Sequence, residues 1–479
     1  MSQIQEQLQE WSQNTPQFLW LGEGATGDWV TVADAARLVR HYVAMLTDFG
    51  VEPGQRVLLG VSRPIRFALL WLALLDLGAV AVPVDSSAPT SERIRIAGQI
   101  SVSWVVADES TAGETAPGVG VVMVDGKGRL SLLRSDLQTG DRYTSGGVVL
   151  FTSGSTGEPK PVGLPLAALC QAAKRVAVNH HLGPNDRGYC PLPLFHVNAE
   201  VVGVLSSLAA RSSLILDLRM TRHRFWQNMK EWKITWINLV PTLLTLLIKD
   251  SGYLPFRSER VRFLRTASAS LPTSVKIAAE NMFNIEVVQS YGISEACGPV
   301  TVNTAGKEKP HSVGVPDGVE ITLLMGGEIG IRGPQVIDPA WGPNEWAQSR
   351  YFDGWYRTGD LGHCDPDGYL YIDGRVKDVI NRGGEKIFPA EVESVLLAHP
   401  AVYECAVVGR PNPVLGEEVV AFLVTNNLNT IEPELRSLVA SQLSPYKAPT
   451  VYMAVNQLPR NRSGKILRHQ LLPRSTQPA

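Results

Sequence analysis

Nine residues, Thr152 to Lys160 (TSGSTGEPK), carry two glycines, four hydroxyl side chains and one lysine, and almost nothing apolar. Each residue type suits the oxygens of a polyphosphate. Glycines expose backbone N–H groups, hydroxyls donate, and an ammonium supplies charge. Thr152, Ser153, Gly154, Ser155, Thr156, Gly157 and Lys160 are therefore the first candidate ligands of a nucleotide. The stretch is not the common P-loop, G-x-x-x-x-G-K-[ST]. Gly154 and Gly157 stand too close together, and Lys160 follows Pro159 instead of opening a helix. Taken alone, an ordinary polar turn is the other reading.

A loop of this kind needs a rigid base. Gly147 to Phe151 (GVVLF) is apolar and rich in β-branched residues, which predicts a buried strand leading into it. Upstream, strands at Trp29–Val32, Arg56–Val61, Ala79–Val84, Trp104–Ala107 and Val121–Val124 alternate with helices reaching to Phe49, at Ile65–Leu77 and at Thr90–Ile100. That alternation implies parallel βαβ units, a doubly wound α/β layer. Downstream come helices at Leu166–Val178, Val201–Ala210, Phe225–Glu231 and Thr242–Asp250, with strands at Trp236–Val240 and Arg262–Ala267. Short glycine-separated strands (VEITLLM, GEIGIRG, Tyr369–Ile372) then predict an antiparallel region.

Asp373 to Asp378 (DGRVKD) reads as a domain boundary. Beyond it lie a loop (Asn381–Phe388), a helix (Pro389–Ala398), two strands (Glu404–Val408, Val419–Val424) and a helix (Glu432–Gln442), enough for a small α+β domain. The expected architecture is thus a large N-terminal domain of layered α/β subdomains with a small β-rich part, residues 1–374, and a small mobile α+β domain, residues 375–479.

Composition narrows the partners. The 479 residues are 44% hydrophobic and 19% charged with a net charge of −2, ordinary for a globular protein and without the basic excess that nucleic acid or an anionic membrane attracts. The five scattered cysteines never form C-x-x-C, which argues against a disulfide framework or zinc site and fits a reducing cytoplasm. The apolar run Phe67–Val84 is broken by Asp76, Gly78 and Pro83, so it reads as a helix and strand, not a membrane span. The polar start MSQIQEQLQEW lacks the order of a signal peptide.

Five stretches in order, TSGSTGEPK, YGISEACGP (Tyr291–Pro299), YRTGDLG (Tyr356–Gly362), GRVKDVINRGGEKIFPAEVE (Gly374–Glu393) and PRNRSGKILR (Pro459–Arg468), resemble the signature motifs of the adenylate-forming superfamily, which includes the AMP-forming acyl- and aryl-CoA ligases. The resemblance spans about residue 30 to about residue 470. It implies a two-step reaction. A carboxylate attacks the α-phosphate of ATP to give acyl-AMP and pyrophosphate, and coenzyme A then displaces AMP to form a thioester. It also implies a C-terminal domain that swings about a hinge, here Lys377.

By the same resemblance, Lys465 is the catalytic lysine, bridging carboxylate and phosphate oxygens as a charge on a flexible stem. Glu295 is the ligand of Mg2+, for which one carboxylate plus phosphates and water suffices. Tyr291 stacks on adenine, Ser294 donates to phosphate, and Gly292 belongs to the same stretch. Asp360 accepts both ribose hydroxyls, and Arg375 holds the ribose from the hinge side. Ser268 and Ala269 line the adenine, although the family more often has glycine or alanine at position 268. Gly383 and Gly384 line the thiol tunnel after the small domain has rotated.

PLFHVNAE resembles the acyl-pocket segment of CoA ligases, which makes His196 the gate between acid and thiol. Asn198, Asn238 and Ser290, with Glu200 and Thr242, are expected as polar contacts in the pocket, and Val197, Val201, Leu239 and Val300 as walls. No clear acid stands where amino-acid-activating members bind the substrate ammonium, so an acyl or aryl acid is expected. Pro161 replaces the usual glycine after the loop lysine and removes one backbone N–H. A carrier-protein thiol in place of coenzyme A, a nucleotide-binding protein without turnover, and a homodimer all stay open from sequence.

Overall fold

The structure is a computed structural model describing residues 3–109, 118–135, 142–153, 159–218, 220–248, 259–304, 306–460 and 465–472. Two seven-stranded sheets form the body. In the first, the strands run in the order Leu130–Arg134, Gly120–Val124, Trp104–Asp108, Arg56–Gly60, Val80–Pro83, Gly147–Ser153, Pro159–Pro165. The inner five are mutually parallel and the two outer strands antiparallel, the doubly wound layer that alternating strands and helices imply. The second sheet runs Glu286–Gln289, Phe263–Thr266, Trp236–Leu239, Arg187–Cys190, Ser213–Leu216, Leu19–Glu23, Trp29–Thr31, parallel except at the last strand.

The helix Pro64–Leu77 (PIRFALLWLALLDL) is apolar all round and buried over most of its length, as a helix enclosed by a core must be. It stops at Gly78, whose φ of 79° suits a residue without Cβ. Trp20, Trp71 and Trp104 lie in the main core with it. A second core, containing Tyr189, Phe225, Ile237, Leu239, Leu264 and Phe283, packs the other face of the second sheet.

The antiparallel region is a five-stranded sheet that includes Glu328–Arg332, Trp355–Cys364 and Leu370–Arg375. Arg375 is its last residue, paired across to Asp360. After one 3-10 turn, Val376–Asp378, the chain enters another five-stranded sheet, built on Ile380–Arg382, Glu385–Ile387, Glu404–Asn412, Gly416–Val424 and Val451–Ala454, with its own core. The change of sheet therefore falls at Val376–Val379. The stretch Asn381–Phe388, expected as a loop, is mostly a hairpin. Its turn, Gly383 and Gly384, has φ of 61° and 92°, values that two adjacent glycines adopt freely and that a sequence-based strand assignment reads as a break.

Candidate active site

The strand Gly147–Ser153 and the strand Pro159–Pro165 form the arms of the hydroxyl-rich loop, with Thr152 opposite Lys160 and Ser153 opposite Pro159. Gly154, Ser155, Thr156 and Gly157 lie outside the described residues. Pro159, Pro161 and Pro165 share one parity on an edge strand, where proline is tolerated. Gly163, of the same parity, sends its N–H outward to Asn344 Oδ1 at 2.8 Å. The N–H missing at Pro161 is therefore one that would point away from the ladder. The outer edge is held instead by side chains. Asn344 Nδ2 donates to Gly163 O (2.8 Å) and Trp346 Nε1 to Pro161 O (2.7 Å). Lys160 Nζ sits 5.3 Å over the Trp346 ring, a contact that orients a cation.

Tyr291 to Val300 is a tight double-back. Gly292 and Ile293 pair with Pro299 and Gly298, and a Cβ on Gly292 would collide with the Gly298 carbonyl, so this position needs glycine. The 3-10 turn Ser294–Ala296 carries Glu295. Tyr291 Oη donates to Asp360 Oδ2 at 2.6 Å, and Arg375 Nε donates to Asp360 Oδ1 at 2.7 Å. Both Asp360 oxygens thus accept a hydrogen bond here, and the same two atoms are those expected to meet a ribose. Burial, then the Asp360 charge, pushes the Tyr291 phenol well up, so it stays a donor.

Lys465 comes from the other domain. Around it the tail is fastened to the small sheet: Arg460 bridges to Ile466, Arg460 Nη2 contacts Glu404 at 3.0 Å, and Arg468 Nη2 contacts Glu393 at 3.1 Å. Arg460 Nη1 also reaches Thr242 Oγ1 on the large domain, at 3.4 Å. Burial lowers the Lys465 pKa. The groups it feels next are Arg375, Asp360, Glu295 and Lys377. Burial raises Glu295, while Lys465 and Arg375 partly offset that rise. Three cations and two carboxylates from separate motifs therefore lie close enough to act on one another's charge, with Asp360 buried, Glu295 and Arg375 half-buried, and Lys465 and Lys377 open to solvent. His196 joins them. Burial, then the Lys465 charge, takes its pKa down to about 4, so it is neutral at pH 7, and its Nε2 has no hydrogen-bond partner in the protein. Lys377 is exposed on the inter-sheet turn, and Gly383 and Gly384 are exposed on their hairpin, where Gly383 N–H bonds Leu415 O.

In the acid pocket, Asn198 opens a π-helix, Asn198–Leu205, a form frequent at functional sites. Asn238 Nδ2 donates to Asn198 Oδ1 at 3.2 Å, and Asn198 Nδ2 to Ser268 Oγ at 3.4 Å. Ser268 has φ of 77°, which accounts for the family's use of glycine there; Ala269 beside it is exposed. Val197, Val201 and Val300 are buried in the main core, Val197 across from Gly298. Ser290 is buried with an unpartnered Oγ. Leu239, expected as a wall, lies instead in the second core, because strand alternation turns it away from the face that Asn238 uses. Glu200 is 1% exposed with neither oxygen hydrogen-bonded. Burial raises its pKa well above the usual carboxylate range, and it lies inside the fold on the first turn of the π-helix. Sequence reading missed Arg265, whose only signal is a guanidinium inside an apolar strand.

Among the described residues no group of three or more His, Cys, Asp or Glu side chains can hold a metal. Glu295 is a single hard oxygen donor, half-buried beside several cations, which fits magnesium only when phosphate oxygens complete its shell.

This fold and cleft define an enzyme that joins an acid to a nucleotide, and the comparisons identify its family. The profile of the AMP-binding enzyme family matches residues 4–338 and that of the AMP-binding enzyme C-terminal domain residues 391–465. The oxalate–CoA ligase of Arabidopsis thaliana is 31% identical over 458 residues, 88% of this chain and 89% of that ligase. The sulfoacetate–CoA ligase of Cupriavidus necator is 37% identical over 340 residues, 68% of this chain and 66% of that ligase. The o-succinylbenzoate CoA synthetase of Bacillus subtilis, solved with its acyl-adenylate intermediate, superposes with a TM-score of 0.84 at 26% identity, covering 99% of both chains. The same enzyme with ATP and a magnesium ion gives 0.82 at 26% identity, over 97% of this chain and 98% of that one. The chain belongs to the AMP-binding enzyme family. It is an AMP-forming acid–thiol ligase of the adenylate-forming superfamily, a family whose members use ATP, magnesium and coenzyme A. Among the described residues no helix is long and apolar enough to cross a membrane.

Proposed function

We propose that Lys465 carries the first half-reaction and that the small domain then turns to serve the second. The observation that supports this most is that the tail ammonium stands near enough to Glu295, Asp360, Arg375 and His196 for their charges to act on one another. In the first step the substrate carboxylate oxygen attacks the α-phosphorus of ATP, the bond to the β-phosphate oxygen breaks, and pyrophosphate leaves. Negative charge builds on the phosphorus oxygens as this happens, and a preorganised ammonium stabilises it. Thr152, Ser153, Ser155, Thr156, Lys160 and Ser294, with the N–H groups of Gly154 and Gly157, cradle the phosphates. Ser268, Ala269, Tyr291 and Gly292 frame the adenine, while Asp360 and Arg375 exchange their mutual contact for the ribose. Glu295 would hold magnesium, which neutralises phosphate charge when bound.

In the second step the coenzyme A sulfur attacks the acyl carbonyl carbon and AMP leaves. Gly383 and Gly384 serve this step from a domain division near residue 375, with Lys377 as hinge. A neutral His196 can move aside without breaking an ion pair. The acid occupies the pocket of Val197, Asn198, Val201, Asn238, Ser290 and Val300. Release of pyrophosphate across a panel of carboxylic acids, with and without coenzyme A, is the test. Turnover that requires free coenzyme A supports the reading. Single-turnover pyrophosphate release that coenzyme A leaves unchanged would favour a carrier-protein thiol.

A further inference from the structure

The strand Phe263–Thr266 (FLRT) places a guanidinium inside the second sheet. Arg265 is 2% exposed. Its neighbour across the parallel ladder is Asn238, and the next strand brings Val288 beside it. Nη1 donates to Asn198 Oδ1 at 3.2 Å and to Asn238 Oδ1 at 3.1 Å, and Nε has no partner. Among the described residues Arg265 forms no salt bridge, and the titratable group it feels most is the Cys190 thiol, not a carboxylate. A buried cation without a counter-ion costs several kcal/mol. Two amide carbonyls solvate it only partly, and a planar fork with an unused N–H is the geometry that binds a carboxylate or sulfonate.

Its surroundings say which anion. Asn198 lies two residues past His196 and also contacts Ser268. Ser290 continues the neighbouring strand with the parity of Val288, on the Arg265 face, and its buried Oγ is free to donate. The charges that Lys465 feels most are Arg375, Asp360, Glu295 and Lys377, not Arg265. The carboxylate being activated belongs at Lys465, so Arg265 is left for a different negative group, beside the Asn198 that follows His196 in the chain.

We propose that Arg265, with Asn198, Asn238 and Ser290, forms a subsite for a second anionic group on the substrate, so that this ligase activates a short dicarboxylic or sulfonated carboxylic acid. The proposal rests on the ligase reading above and adds the substrate class to it. A long alkyl chain or an unsubstituted aromatic acid would leave the guanidinium buried and uncompensated. A second anion removes that cost and gains charge-assisted hydrogen bonds.

The test measures kcat/KM for coenzyme A-dependent pyrophosphate release with oxalate, malonate and sulfoacetate against acetate and propionate. The wild-type enzyme is expected to favour at least one dianion over its monoanionic counterpart by about 100-fold, the discrimination typical of a buried charge-assisted pair. Arg265→Met, close in length but uncharged, should collapse that ratio toward one while the KM for ATP changes little. A wild type that uses no dianion better than its monoanionic counterpart overturns the proposal without any variant, so a misfolded substitution cannot rescue it. An Arg265→Met protein that stays folded and loses all acids in equal proportion also overturns it. Absence of pyrophosphate release with these five acids while a longer or aromatic acid is turned over overturns the subsite and leaves the ligase reading standing; absence with every acid of the wider panel sinks the ligase reading, and the subsite with it.

Discussion

Lys465 stands beside two other cations, Arg375 and Lys377. Burial and two neighbouring cations lower its pKa from the usual 10.5, and the carboxylates only partly restore it. The free enzyme should therefore lose this charge early on the alkaline side. The kcat/KM for pyrophosphate release is expected to fall with a midpoint below 10.5, since this ratio reports groups of the free enzyme; a midpoint at or above that value would contradict the assignment. His196 has the opposite vulnerability. Its folded pKa is about 4 against 6.5 unfolded, so between those values the unfolded chain binds the extra proton and stability falls as pH falls. His180, taken by burial to about 3, destabilises in the same direction as pH falls. Glu200 and Glu295 are raised and work the other way, gaining relative stability as they protonate. The difference between wild type and His196→Gln isolates the histidine. Denaturant titrations from pH 7 to pH 5 should show the wild type losing roughly 1–2 kcal/mol more than the variant. Parallel curves would mean that the imidazole is not kept neutral.

At the scale of elements, the edge strand Pro159–Pro165 depends on partners far away in sequence. Asn344 is fully buried and satisfies both the N–H and the C=O of Gly163. Asn344→Ala should cost about 2–4 kcal/mol, because two buried backbone groups lose their partners, and should lower the thermal midpoint. An unchanged midpoint would show that water replaces the amide. Local pattern made much of this framework legible: the alternating strands and helices of the first sheet and the apolar helix Pro64–Leu77 follow from spacing and residue type, whereas the Tyr291–Pro299 stretch stood out only through the family resemblance. Three features did not, each for a physical reason. The π-helix at Asn198 has no sequence period that sets it apart from an α-helix. The Gly383–Gly384 hairpin has strands of only three residues each, too short to show alternation. Asn344 and Arg265 matter through contacts across the fold, which no local window contains.

The whole molecule is two bodies joined by one turn, with functional groups split between them. Lys465 and the Gly383–Gly384 hairpin ride on the small sheet. In the proposed reading the two serve different chemical steps, which calls for the small domain to present first one and then the other. Lys377→Pro fixes one φ at the inter-sheet turn and should slow thioester formation several-fold more than pyrophosphate release, in single-turnover assays of each step. Equal slowing would place the pivot elsewhere. The most direct measurement removes the tail charge. Lys465→Ala should lower acid-dependent pyrophosphate release by about 100- to 1,000-fold, the usual loss when one transition-state donor is deleted, yet still convert supplied acyl-AMP and coenzyme A to thioester at near the wild-type rate. Pyrophosphate release surviving at the wild-type rate would contradict the account.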